Sequence, residues 1–422
     1  MITNKRLLNK DEFIKGTIFP SNINFTAEEA EQFIDYIVDQ SVLKNNAKIV
    51  RMAKPEKLQR TLGIDGKILY PSETFSSLNY KKDVSHNIDT LSVKKARGCV
   101  VIYDDDVEDN IEGEAFVDHL MRMIAAGIAN DLEEAYYTGV RPVAGTNPLD
   151  LNGVWDGWRH RMLTYSNDVT GAATILDATD SGDFSNTTGY IVEQNANAPY
   201  DWEFKFAKML KSMPSKYKKL QGGLANFRFY LNDQLLQDYI DSLAARNTIL
   251  GDNAILGQGP IQYGRVPIVS MPLMPTDVPR VTAGVNTTLA SNAAKGATSI
   301  VVSAATGATA DDYIYIYKAG LEYKAEVVQI DSVDGTTLNL KTALKWAHTT
   351  AEGETVKEVT LDATDCFLTH KDNLIVGILR DIKMETQREA ADEATYFFYS
   401  LRSDLLLSNP NAVVFLKNLK TK

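Results

Sequence analysis

The residues best placed to do chemistry form an acidic run: Asp104, Asp105, Asp106, Glu108 and Asp109, with Glu112 and Glu114 close behind. Carboxylates at this density offer hard oxygen ligands to a divalent cation. They also sit where a helix starts, and there they would satisfy orphan N–H groups and the positive dipole end, or pair with cations of a neighbouring chain. The second use is the stronger reading, so no metal and no cofactor is expected. Trp155 and Trp158 lie between glycines in NGVWDGW. Such a pair stacks a base or a sugar, or more often anchors a small core or an interface. The histidines at 86, 119, 160, 348 and 370 have no partner at ligand spacing. Phosphate loops, HExxH, GxSxG and CxxC are all missing. Gly257-Gln258-Gly259 lacks the third glycine and following helix of a dinucleotide fingerprint. Cys99 and Cys366 read as two reduced, buried thiols. The expectation is a protein that is not an enzyme.

The element positioning the acidic run is a long helix. Phe116, Leu120, Ile124, Ile128, Leu132 and Tyr136 recur four apart, and Met121, Met123 and Ala125 widen the stripe. From Glu114 to Thr138 the helix would be about 35 Å long. Gly139 is the expected left-handed cap. Residues 1–25 read as an extended arm, and Thr26-Ala27-Glu28-Glu29 opens a helix to about Leu43. A short strand follows at 49–52. Residues 53–98 read as a polar hairpin turning at Asp65-Gly66, and CVVIY at 99–103 as a buried strand.

Further along, Trp202, Phe206, Met209 and Leu210 face inward on a helix that Pro214 stops, with lysines from 205 to 219 as a solvated face or a phosphate patch. Phe227–Leu231 is a strand, and Asn232 or Asp233 caps the next helix. Residues 299–302, 313–317, 326–330 and 338–340 alternate at period two, with a hairpin turn at Asp334-Gly335: a small all-β module. Tyr313, Tyr315 and Tyr317 line one strand face, as core or cross-strand ladder. The last 64 residues alternate through at least three strands.

Length allows two or three domains in 422 residues, and no apolar run is long enough to cross a membrane as a helix. The first residues, MITNKRLLNKDEF, show no secretory signal. The net charge of −11 counts against a nucleic-acid-binding surface.

DDDVEDN, the GEAF step, the helix ending DLEEAYYTG, and the C-terminal texts NLIVGILRDIKMETQREA, TYFFYSLRSD and NPNAVVFL resemble the HK97-type major capsid proteins of tailed bacteriophages. The resemblance implies an α+β HK97-type fold with an inserted small all-β domain. It divides the chain into an N-terminal arm and helix (1–52), an E-loop hairpin (53–98), a P-domain strand and spine helix (99–140), an A-domain (141–279), the inserted β domain (280–358) and C-terminal strands returning to the P- and A-domains (359–422).

The implied function is self-assembly as hexamers and pentamers into an icosahedral virion shell, built in the host cytoplasm, around phage double-stranded DNA bound without sequence specificity. Portal and scaffolding proteins, and a decoration protein, are the implied partners; no membrane is involved. Lys67, Lys81, Lys82, Asp104, Asp105, Asp106, Glu108 and Asp109 are the inter-subunit contact candidates. Some family members weld subunits through a Lys–Asn isopeptide bond, for which Asn409 and Asn411 would be the acceptors. Two alternatives stay open: an encapsulin-like nanocompartment, and a non-catalytic carbohydrate- or surface-binding protein using the β insert.

Overall fold

The computed structural model describes residues 46–64, 84–103, 115–144, 146–164, 173–178, 202–218, 223–244 and 261–420. In chain order β1 (Lys48–Arg51), β2 (Glu56–Ile64), β3 (Val84–Ser92) and β4 (Lys94–Tyr103) precede helix α1 (Ala115–Thr138). Next come α2 (Trp158–Thr164), β5 (Thr174–Asp177), α3 (Trp202–Ser212), α4 (Ser215–Lys218), β6 (Phe227–Leu231) and α5 (Asp233–Ala244). The strands β7 (Gln262–Tyr263), β8 (Val266–Ser270), β9 (Val278–Thr288), β10 (Ser299–Val301), β11 (Tyr313–Tyr317), β12 (Glu326–Asp334) and β13 (Thr337–Leu340) follow. The chain finishes with β14 (Thr355–His370), β15 (Leu374–Glu389), β16 (Ala394–Leu407) and β17 (Val413–Lys420).

Contacts divide the chain into two units, residues 1–133 with 372–408 and residues 134–371 with 409–422. In the first unit a four-stranded sheet runs β1-β15-β16-β4, with β1 parallel to β15 and the other pairs antiparallel. Successive strand residues point to opposite faces. Hence Phe397, Tyr399, Leu401, Ser403 and Leu405 of β16 are buried, whereas Phe398 is 40% exposed. Strands β2 and β3 form a separate two-stranded sheet, in register from Glu56↔Ser92 to Ile64↔Val84. The root of that hairpin is pinned. Leu91 is buried among Met52, Ile375 and Leu406, and the Ser92 N–H donates to Asp404 Oδ2 at 2.6 Å. A side chain at Gly377 would put its Cβ 2.9 Å from the Met52 sulfur and 3.3 Å from the Leu91 methyls, so those side-chain ends would have to shift to admit it.

The second unit is organised on β14. Its first half pairs β11 on one side and β9 on the other; its second half pairs β6 and β17. One eleven-stranded sheet results. Two cores lie along it. One gathers Phe206, Met209, Phe229, Tyr239, Leu368 and Val414. The other gathers Ile314, Ile316, Val328, Leu338 and Val356. Strand Phe227–Leu231 and its Asn232 cap fall where expected: Asn232 Oδ1 accepts from the Gln234 N–H at 2.9 Å. The alternating texts at 299–302, 313–317, 326–330 and 338–340 lie on β10 to β13, with Gly335 at φ 60° in the turn.

Several expectations need correction. Met123 is 59% exposed: at about 100° per residue it lies opposite the buried line Ala125, Ala129, Leu132 and Tyr136. Gly139 is absent from the left-handed glycines. It is required instead by close approach, since a Cβ there would sit 2.5 Å from the Ala135 carbonyl and 2.7 Å from that of Trp155. CVVIY is not a buried strand. As the edge strand β4 it buries Ile102 but leaves Val101, Tyr103 and Cys99 exposed. Only Cys366 is the expected buried thiol, and burial pushes its pKa up. Tyr313, Tyr315 and Tyr317 are not core; Ile314 and Ile316 are, and the tyrosines face the other way, with Tyr315 and Tyr317 stacked at 5.3 Å. The described register ends at Ile64↔Val84, and the expected turn at Asp65-Gly66 lies outside the described residues.

Candidate functional site

The expected contact candidates Lys67, Lys81, Lys82, Asp104, Asp105, Asp106, Glu108 and Asp109 lie outside the described residues, as do Gly257-Gln258-Gly259, Lys219 and the arm and helix before residue 46. Asn409 is described: its side chain accepts from the Asn411 N–H at 3.1 Å, capping a short turn. Among the described residues no group of three His, Cys, Asp or Glu side chains is arranged to hold a metal ion. No described helix is long and apolar enough to cross a membrane.

Trp155 and Trp158 are anchors. They are 1% and 0% exposed, and both rings meet Tyr136 edge-on, at 5.2 and 6.2 Å between centroids. The loop that carries them is laced back to the end of α1. The Gly157 N–H donates to the Gly139 carbonyl at 2.8 Å, and the Val140 N–H to that of Asn152 at 2.8 Å. A Cβ on Gly157 would lie 2.6 Å from the Tyr137 carbonyl. Buried aromatic faces offer a base or a sugar nothing to stack on.

From α2, Arg159 reaches β14 and donates through Nε to Asp365 Oδ2 at 2.5 Å, where Asp365 is fully buried. Burial opposes the Arg159 charge, but the adjacent carboxylate outweighs it and raises the guanidinium pKa. Burial, and then the Asp365 charge, push the Tyr137 phenol well above its usual range. The Arg159–Asp365 pair is a polar staple between helix and sheet, with the Tyr137 hydroxyl buried beside it without a hydrogen-bond partner.

A second buried cluster was not legible in the sequence. His348 is fully buried, with Nε2 2.7 Å from Glu326 Oε1 and Nδ1 2.8 Å from Glu354 Oε1. Glu326 also accepts from the backbone N–H groups of Lys345 and Trp346. Two carboxylate acceptors facing both ring nitrogens require a donor at each, which only the imidazolium provides. Burial pulls the His348 pKa down, but the hydrogen bonds to Glu326 and Glu354 win and raise it. Glu326 comes from β12 and His348 and Glu354 from the loop after β13, six residues apart, which is no recognisable ligand or catalytic spacing. The cluster ties the 341–354 loop to β12.

Beside it is a cavity of about 540 Å³ lined by Pro142, Pro148, Asp150, Tyr323, Lys345 and Trp346, among others. Its polar walls are largely committed already. Asp150 Oδ1 accepts from the Gly153 N–H, Glu326 holds His348 and two backbone amides, and Tyr323 and Trp346 meet edge-on at 5.6 Å. The arrangement has no nucleophile with an adjacent base.

What the described surface does offer is interaction area. Among the described residues the β2–β3 ribbon has no third strand, and Leu58 on it is 54% exposed. The open face of the four-stranded sheet carries Val101, Tyr103, Tyr396 and Phe398, the last two rings stacked at 6.2 Å.

No protein-family model matches the chain. The prophage capsid protein YqbE of Bacillus subtilis (strain 168), a putative assignment in its own name, is 25% identical over 267 residues, 63% of this chain and 74% of that protein. Among solved structures, a chain of the satellite phage P4 procapsid that includes the size determination (Sid) protein superposes with a TM-score of 0.52 at 12% identity, covering 100% of this chain and 98% of that one. A capsid chain of an empty GTA particle gives 0.45 at 12% identity, with 99% of each chain covered. Sequence and fold together bear out the resemblance of this chain to the HK97-type major capsid proteins of tailed bacteriophages.

Proposed function

We propose that this chain is the shell subunit of a tailed phage or prophage head, assembling as hexamers and pentamers around double-stranded DNA. The observation that carries the reading is the β2–β3 ribbon. A two-stranded sheet is marginal in water by itself, yet this one has a tightly seated root and an apolar residue exposed on its blade. Such a ribbon gains stability by lying on another surface, and in a shell that surface is the adjacent subunit. In the domain assignment offered here, residues 53–98 are the E-loop, 99–140 the P-domain strand and spine helix, 141–279 the A-domain, and 280–358 an inserted β domain. Assembly takes place in the host cytoplasm with separate scaffolding and portal proteins; a decoration protein is a further partner. The role is structural, and the shell's cohesion comes from many weak contacts repeated by symmetry. Lys67, Lys81, Lys82 and the Asp104–Asp109 run are the proposed contact residues.

Negative-stain electron microscopy of the purified protein, with light scattering on the same sample, tests the reading. Closed shells or hexagonal sheets are expected. A monodisperse single chain, even with a scaffolding protein present, would overturn it.

A further inference from the structure

The open face of the four-stranded sheet is aromatic at one end and basic at the other. Register places Arg380 opposite Arg402, and Arg402 opposite Lys95, so three cations stand abreast on β15, β16 and β4. Arg97, opposite Ser400 and one step further along the same face of β4, adds a fourth. Like charges set directly across strands repel and destabilise a sheet. Relief from carboxylates is partial: Glu385 acts on Lys95 and Arg380 through its charge but is itself paired with Lys383, and among the described residues none forms an ion pair with Lys95, Arg97, Arg380 or Arg402. Arg380 donates through Nη2 to Ser400 Oγ at 2.7 Å, while its Nε is buried without an acceptor. Desolvation, and then the charges of Arg97, Arg380 and Arg402, hold the Lys95 ammonium below the ordinary lysine range.

In a chain of net charge −11, four cations in one patch, none in an ion pair with a described residue, call for an anionic occupant. The densest anionic segment is 104–114, seven carboxylates in eleven residues with no cation among them. In its own chain it follows Tyr103, which stands eight residues along β4 from Lys95, about 27 Å, and it precedes α1. We propose that the basic row of Lys95, Arg97, Arg380 and Arg402 docks the acidic 104–114 segment of a second copy of this chain. The proposal rests on the shell-subunit reading, and it names one of the contacts that reading needs. Double-stranded DNA is the competing anion. The acidic segment is favoured because the patch is a compact row beside an aromatic surface, rather than a stripe of cations along a groove.

The test reverses each side of the contact in the full-length protein. One variant carries Lys95→Glu and Arg402→Glu; the other carries Asp104→Lys, Asp105→Lys and Asp106→Lys. Circular dichroism and thermal melting establish that each is folded, and Lys95→Gln with Arg97→Gln replaces the first pair if it is not. Each variant alone is expected to lose association at least tenfold by light scattering under conditions where the wild type assembles. An equimolar mixture of the two reversed variants is expected to recover it. Association of both variants at the wild-type level overturns the contact while leaving the shell reading intact. Recovery only when both reversals share one chain places the segment on its own sheet and overturns the contact between copies. Wild-type assembly by the first variant, with loss of salt-sensitive DNA retention, makes the row a nucleic-acid face and also overturns it. Failure of the wild type to assemble in any condition sinks the shell reading itself.

Discussion

Two carboxylates hold both ring nitrogens of His348 and favour its charged form, and that makes its contribution depend on pH. Its folded-state pKa stands above the unfolded value near 6.5. The folded state therefore binds the proton more tightly, the stabilisation is complete below about pH 6.5, and it is lost as pH rises through the folded value. Thermal melts across that window should show a falling midpoint, and His348→Gln should flatten the slope. Arg159 and Asp365 make a different case, a buried ion pair rather than a titrating switch. Asp365→Ala removes a buried carboxylate and strands the guanidinium, at a cost of about 3 kcal/mol, readable as a shift in the urea midpoint. Neither cluster was legible in the sequence. Each joins residues far apart in the chain, Arg159 to Asp365 and Glu326 to His348, and only the sheet register brings them together. Asn232 was legible because a cap acts on an amide two residues away.

At the scale of elements, the end of α1 and the tryptophan loop are closed on one another by backbone. Gly139 and Gly157 are the two seats of that closure, each with carbonyl oxygens where a Cβ would stand. Backbone atoms cannot swing aside as a lysine tip can. Gly157→Ala should therefore cost about 1–3 kcal/mol through overpacking, while Gly98→Ala on β4, with open space around it, should be close to neutral; denaturant titration of both separates sterics from glycine loss in general. The ribbon root gives a third case. Leu91→Ala should cost about 2–5 kcal/mol and speed hydrogen exchange of the β2 and β3 amides in the unassembled protein. Periodicity found α1, β6, β11 and β12, because burial on one face repeats in the sequence. It placed the three tyrosines of YIYIY on one face but left open whether that face was core, since isoleucine and tyrosine alternate and both are apolar enough to be inward. It also overrated CVVIY, because an apolar edge strand reads like a central one until its neighbours are known.

For the whole molecule, assembly should leave a local signature. If the ribbon lies on an adjacent subunit, exchange of the β2 and β3 amides slows on assembly, while that of the already buried Phe367 and Phe415 region barely changes. Equal exchange in both states would remove the ribbon from the contact. The path of β9 and β14 has an engineering consequence. These two strands run antiparallel from Val278↔Ala363 to Thr288↔Thr355, and residues 289–354 leave and rejoin at their ends, with β11 folding back to pair Thr355–Val359 of β14. Paired strands stand about 5 Å apart, so the ribbon is a socket with two closely spaced leads. A foreign domain whose termini are equally close could be plugged in at Thr288 and Thr355 without disturbing the strands that bind β6 and β17. The shell would then carry a chosen cargo at every subunit, at a spacing set by its lattice.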